Sequence, residues 1–133
     1  KVRDAVKIFD VFHTLDREKI LRELIKFPES IKEKSFFIQV NTGKESTKSG
    51  IFPEDAKSFL DLCKSLGLNN IDGLMCIPPI NEDPTKHFQI ITNLTKDFGL
   101  GKPSIGMSAD YLQALSYDPK YVRLGTALFG KRQ

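Results

Sequence analysis

With 133 residues, 40% of them apolar and 28% charged, the chain is long enough for one core and has the composition of a globular domain. Its net charge of +3 comes from scattered lysines, which argues against nucleic acid, and no apolar run is long enough to span a bilayer. Cys63 and Cys76 are too few for a disulfide framework, and no CxxC or histidine-rich spacing supports a metal site.

The chain opens on Lys1 rather than on a methionine, and Lys1 to Ile8 reads as the tail of a helix already under way. Further residues are therefore expected upstream. Residues 9–14 read as a short strand, after which Asp16 is placed to cap a helix. Ile20, Leu21, Leu24 and Ile25 form the apolar face of that helix, and Pro28 ends it. Residues 36–41 are nearly continuous in apolar character, as strands buried on both faces are. The polar loop 42–50 has two glycines but no Walker spacing.

Pro53 suits a first helical position. Ala56, Phe59, Leu60, Cys63 and Leu66 then make a core-facing stripe that Gly67 stops. Both cysteines read as buried thiols of a reducing compartment, so a cytoplasmic location is expected. Residues 71–77 form a third strand closed by Pro78 and Pro79. The next helix covers 84–98, with Phe88, Ile91, Leu94 and Phe98 inward, His87 solvated, and Gly99 and Gly101 as breakers. Residues 103–108 give a fourth strand, with Ser108 placed to cap a helix over 109–115. A last strand covers 121–124, and residues 126–129 start a final helix. Strands about 20–35 residues apart, alternating with helices, predict βαβ units and a parallel sheet.

In such folds chemistry gathers where strands end. His13 and Thr14, Asn41 and Thr42, Ser104 and Ser108, and Gly125 and Thr126 all fall there. Arg123 is the only one of five arginines inside an apolar run. Such a guanidinium is either satisfied by a carboxylate or by backbone carbonyls, or it faces a ligand. Taken singly, Ser108 reads as a helix cap, Gly125 as a tight turn and His13 as a satisfied polar residue. Taken together beside Arg123, Ser108, Gly125 and Thr126 could supply hydroxyl and amide donors to one phosphate. No Ser-His-Asp order and no carboxylate pair stands out.

Residues 122–130 (VRLGTALFG) and 105–111 (IGMSADY) closely resemble signatures of the pyridoxal phosphate homeostasis proteins, the YggS/PROSC family. So do residues 12–16 (FHTLD), 39–42 (QVNT), 48–51 (KSGI) and 73–78 (GLMCIP). These motifs run in family order over nearly the whole chain, and the N-terminal barrels of alanine racemases are more distant relatives. The resemblance implies an α/β fold, a (β/α)8 TIM barrel of the alanine racemase N-terminal type. About the last five β/α units would be present, so residues 1–133 form a single partial barrel domain. It implies pyridoxal 5′-phosphate (PLP) as the cofactor, with Arg123 at the pyridine nitrogen and Ser108, Gly125 and Thr126 at the phosphate. Met75 and Ile77 would lie near the ring and Asn41 near the pocket mouth, and Met107 would be a further cofactor-binding residue. No catalytic residue and no metal is implied.

The family's Schiff-base lysine sits on a first strand that has no counterpart here; Lys44 and Lys48 are loop lysines. An open-edged segment of this kind is expected to aggregate, swap with a partner or belong to a longer protein. The implied function is intracellular PLP homeostasis by a carrier rather than an efficient enzyme. Its partners would be PLP and PLP-dependent apoenzymes, with neither nucleic acid nor membrane, and the full-length protein would be a monomer. The alternative is a PLP-dependent amino acid racemase. An arginine can only donate, so the ring nitrogen would stay unprotonated and the ring would be a weak electron sink, which favours the carrier.

Overall fold

The computed structural model describes residues 1–131. In chain order the elements are α1 (Val2–Ile8), β1 (Val11–Leu15), α2 (Glu18–Leu24), α3 (Pro28–Ile31) and β2 (Ser35–Gln39). A 3₁₀ turn (Pro53–Asp55) leads into α4 (Ala56–Ser65), then β3 (Ile71–Met75), α5 (Pro84–Asp97), β4 (Ser104–Met107), α6 (Tyr111–Leu115), β5 (Tyr121–Arg123) and α7 (Thr126–Phe129). The strands pair in parallel in the order β1-β2-β3-β4-β5, each beside its neighbour in sequence. Every C-terminal strand end therefore lies on one rim. No helix among the described residues is long and apolar enough to cross a membrane.

Two local expectations are corrected. Asp16 does not cap α2, whose N-cap position is Arg17 and has no side-chain capping bond. The Asp16 carboxylate accepts the Gly50 amide at 3.0 Å instead, tying the loop after β2 to the end of β1. Pro28 does not merely stop α2. It stands at the start of α3, where its fixed φ is already helical and its missing N–H costs nothing.

The sheet has two different faces because side chains alternate along a strand. On the outer face Leu21 and Leu24 of α2, Leu60 and Cys63 of α4, and Phe88 and Ile91 of α5 join Phe36, Ile38, Leu74 and Ile105 in one core. Burying each such Phe, Leu or Ile contributes about 1.5–3 kcal/mol.

Phe37 and Met75 are as buried but lie outside that cluster, on the concave face. There the His13 ring stacks on Phe37 with centroids 5.2 Å apart and planes at 13°. Tyr121 meets His13 edge-on at 5.2 Å. In a flat sheet the four gaps between β1 and β5 would separate these strands by about 19 Å. Ring contact between the first and last strands therefore means that the sheet is rolled strongly about its concave side. Gly73 permits this. A Cβ there would stand 2.4 Å from the Lys102 carbonyl oxygen and 3.0 Å from the Phe37 ring, so only a hydrogen fits.

Candidate functional site

Arg123 ends β5, in register with Met107 of β4. Strand alternation puts Tyr121 and Arg123 on the same face, so the guanidinium follows the tyrosine ring into the concavity. Its Nη1 donates to Ser104 Oγ at 2.6 Å and to the Ser104 carbonyl at 3.2 Å. Its Nη2 donates to the Cys76 carbonyl at 2.9 Å. Each charge-assisted bond is worth about 1.5–3 kcal/mol, enough together to hold a half-buried cation in place. Every one of these acceptors is neutral, and no carboxylate among the described residues pairs with Arg123. Burial lowers its pKa, and the Asp110 carboxylate raises it. An arginine stays protonated at any working pH all the same.

The hydroxyl of Ser104 is shared. His13 Nδ1 lies 2.9 Å from the same Oγ. Burial first, and then the Arg123 charge, hold the His13 pKa below its ordinary value. A neutral ring accepting at Nδ1 gives a directed chain: Arg123 donates to Ser104, and Ser104 donates to His13. Burial also pushes the Cys76 thiol up to about 12, so it is no thiolate nucleophile.

The second group lies just past β4 and β5. Ser108 does not cap the following helix, which starts only at Tyr111. Its Oγ accepts the Ala127 amide at 2.8 Å and the Gly125 amide at 3.2 Å. Two converging backbone N–H groups on one oxygen form the kind of cradle that a phosphate oxygen occupies. Gly125 takes the N-cap position of α7, and Thr126 opens that helix. Asp110 turns its carboxylate aside to accept the Met107 amide at 2.8 Å. The site thus combines a guanidinium without an anionic partner among the described residues and two backbone amides gathered on one hydroxyl.

Of the other residues read from sequence, Met75 is 2% exposed at the end of β3, while Met107 is 38% exposed on the rim. Asn41 is buried, but its amide is spent within the chain. Nδ2 donates to the Glu45 carbonyl at 2.8 Å, and Oδ1 accepts the Glu45 amide at 3.1 Å, which folds the loop 42–50 against the rim. His87 was expected to be solvated and is instead 2% exposed, held between Thr42 and Glu82. Ser104 was grouped with the residues where strands end, but it is the first residue of β4; its register opposite Tyr121 of β5, which brings it to Arg123, is set by the sheet and carries no sequence signal. The Cys76 carbonyl carries no sequence signal at all.

Comparison with known proteins places these residues in a wider setting. The family model for the alanine racemase N-terminal domain matches residues 1–133. A pyridoxal phosphate homeostasis protein of Pseudomonas aeruginosa is 36% identical over 138 residues, covering 99% of this chain and 60% of that protein. The structure of PipY from Synechococcus elongatus with PLP bound is 26% identical, with a TM-score of 0.83 over 98% of this chain and 65% of that one. Alanine racemase from Acinetobacter baumannii, 16% identical with a TM-score of 0.72, shares the fold over 98% of this chain and 37% of its own. The chain thus spans about 60% of the length of the curated relatives it matches.

Proposed function

The chain belongs to the alanine racemase N-terminal domain family, and from that premise we propose that it is the PLP-holding part of a PLP homeostasis protein. The observation that carries this reading is the guanidinium of Arg123, bonded only to neutral acceptors inside the concave face, two residues before the Gly125 amide that Ser108 Oγ accepts. The relatives' names and the PLP-bound PipY structure support the choice of ligand.

Bound PLP supplies an aldehyde that captures amines and a ring that withdraws electrons when its nitrogen is protonated. Arg123 has only N–H groups to offer, so it donates to a ring nitrogen and leaves it without a proton. Ser104 and the Cys76 carbonyl hold the guanidinium so that it need not reorganise when a ligand arrives. The Ser108 hydroxyl, whose oxygen accepts the Gly125 and Ala127 amides, would donate its own proton to the phosphate, joined by the Thr126 hydroxyl. A ring held unprotonated is a weak electron sink, which suits a carrier or buffer of the cofactor better than an enzyme of carbanion chemistry. Delivery to PLP-dependent apoenzymes belongs to the same reading.

Titrating the full-length protein with PLP and with unphosphorylated pyridoxal tests the proposal. Wild type should prefer PLP by at least about tenfold, and Ser108→Ala with Thr126→Ala should remove most of that preference. Arg123→Glu should shift the absorbance of bound cofactor. Unchanged PLP preference in the double variant overturns the site. Alanine racemisation at enzymatic rates overturns the carrier in favour of a racemase.

A further inference from the structure

The Ser104 hydroxyl has one proton and two lone pairs to place, and at 0% exposure it places none of them in water. Arg123 Nη1 takes a lone pair at 2.6 Å. A guanidinium offers only N–H groups, so the hydroxyl proton has to point elsewhere. Among the described residues one acceptor lies within reach, Nδ1 of His13 at 2.9 Å. The other tautomer, with the ring proton on Nδ1, would aim two donors at one oxygen. It would also leave the hydroxyl proton buried without a partner, which is costly. The neutral ring therefore carries its proton on Nε2.

The imidazole is held in that orientation from two sides. Phe37 of β2 stacks on it with centroids 5.2 Å apart and planes at 13°, and Tyr121 of β5 closes edge-on at 5.2 Å and 84°. Arg123 has two further acceptors, the Ser104 and Cys76 carbonyls. Both are backbone oxygens, whose lone pairs are set by the chain. The Ser104 hydroxyl is the one acceptor of the three that can turn, and it makes the shortest bond. We propose that His13 is a positioning residue for Arg123: by accepting the Ser104 hydroxyl proton, it keeps a lone pair of that oxygen turned toward the guanidinium.

Two substitutions separate this role from packing. A ring that only filled space on Phe37 would be replaced best by phenylalanine. A ring needed for its acceptor would be replaced best by asparagine, whose Oδ1 can stand near the place of Nδ1 although the stacking is lost. The two roles therefore rank His13→Phe and His13→Asn in opposite order.

The first measurement is nitrogen NMR of the full-length protein without ligand, at about pH 8, where a histidine is neutral. It reads the His13 tautomer in wild type, and a proton found on Nδ1 overturns the proposal even where a variant fails to fold. The same spectra give the rate of rotation about the Arg123 Nε–Cζ bond. His13→Phe should speed that rotation about three- to tenfold, and His13→Asn should stay within about twofold of wild type. A His13→Phe no faster than His13→Asn overturns the proposal.

The consequence for ligand affinity rests on the proposed function. PLP binding should weaken about three- to tenfold in His13→Phe and by less than about twofold in His13→Asn. In an Arg123→Lys background the two variants should bind alike, and a difference that persists there overturns a role exerted through Arg123. If wild type binds no PLP, the proposed function falls, and the tautomer and the rotation rates alone decide this inference.

Discussion

Arg123, Ser104 and His13 form a polar line across the concave face, and each member constrains the protonation of the next. Burial is the larger cause of the lowered His13 pKa and the Arg123 charge the smaller. The sign for stability follows. Below the ordinary value of 6.5 the unfolded chain takes a proton on His13 that the folded chain resists. Stability is therefore fully present above that pH and falls as pH drops toward the folded pKa. Arg123→Gln should raise the His13 pKa part of the way to its ordinary value, because the burial remains. A titration of the His13 ring protons by NMR checks this, and an unmoved midpoint would mean that the two groups are not coupled. At this scale the sequence was informative about Arg123, since an arginine in an apolar run needs an explanation. It was silent on whether acids or neutral groups would supply it.

Among the elements, β4 and α6 show how tight the local fit is. Gly106 has φ +102°, and a Cβ there would meet Ala114 Cβ at 2.8 Å and Val122 Cγ1 at 3.2 Å. Both the backbone and the packing then oppose any side chain. Gly106→Ala should cost about 2–4 kcal/mol, read as a lower denaturation midpoint at unchanged m-value in the full-length protein. An effect below about 1 kcal/mol would show that α6 simply moves away. Strand and helix positions were largely legible, because apolar periodicity, Pro53 and Gly67 act within a few residues of themselves. Capping was less so. Asp16 and Ser108 are both good caps by type, yet the Gly50 amide claims one and the Gly125 and Ala127 amides claim the other. His87 fell on the wrong side of α5 because a histidine in a first turn is ordinarily solvated, and nothing nearby announces Thr42.

For the molecule as a whole, the rolled sheet leaves the outer edges of β1 and β5 without strand partners among the described residues. Free N–H and C=O rows on an edge are templates for pairing with another chain. The 133-residue chain produced by itself should therefore sediment as dimers or larger species. A monodisperse monomer across micromolar concentrations would show that the edges are protected. The amino-acid sequence by itself determined the order of strands and helices, the parallel α/β class and the rim on which the polar residues gather, because each depends on neighbours close along the chain. Only the tertiary structure decided which groups meet. His13 finds Ser104 across 91 residues, Arg123 finds Cys76 across 47 and His87 finds Thr42 across 45. A hydrogen bond at that range depends on how far the sheet curls, and curl is a property of all five strands packed together rather than of any one of them.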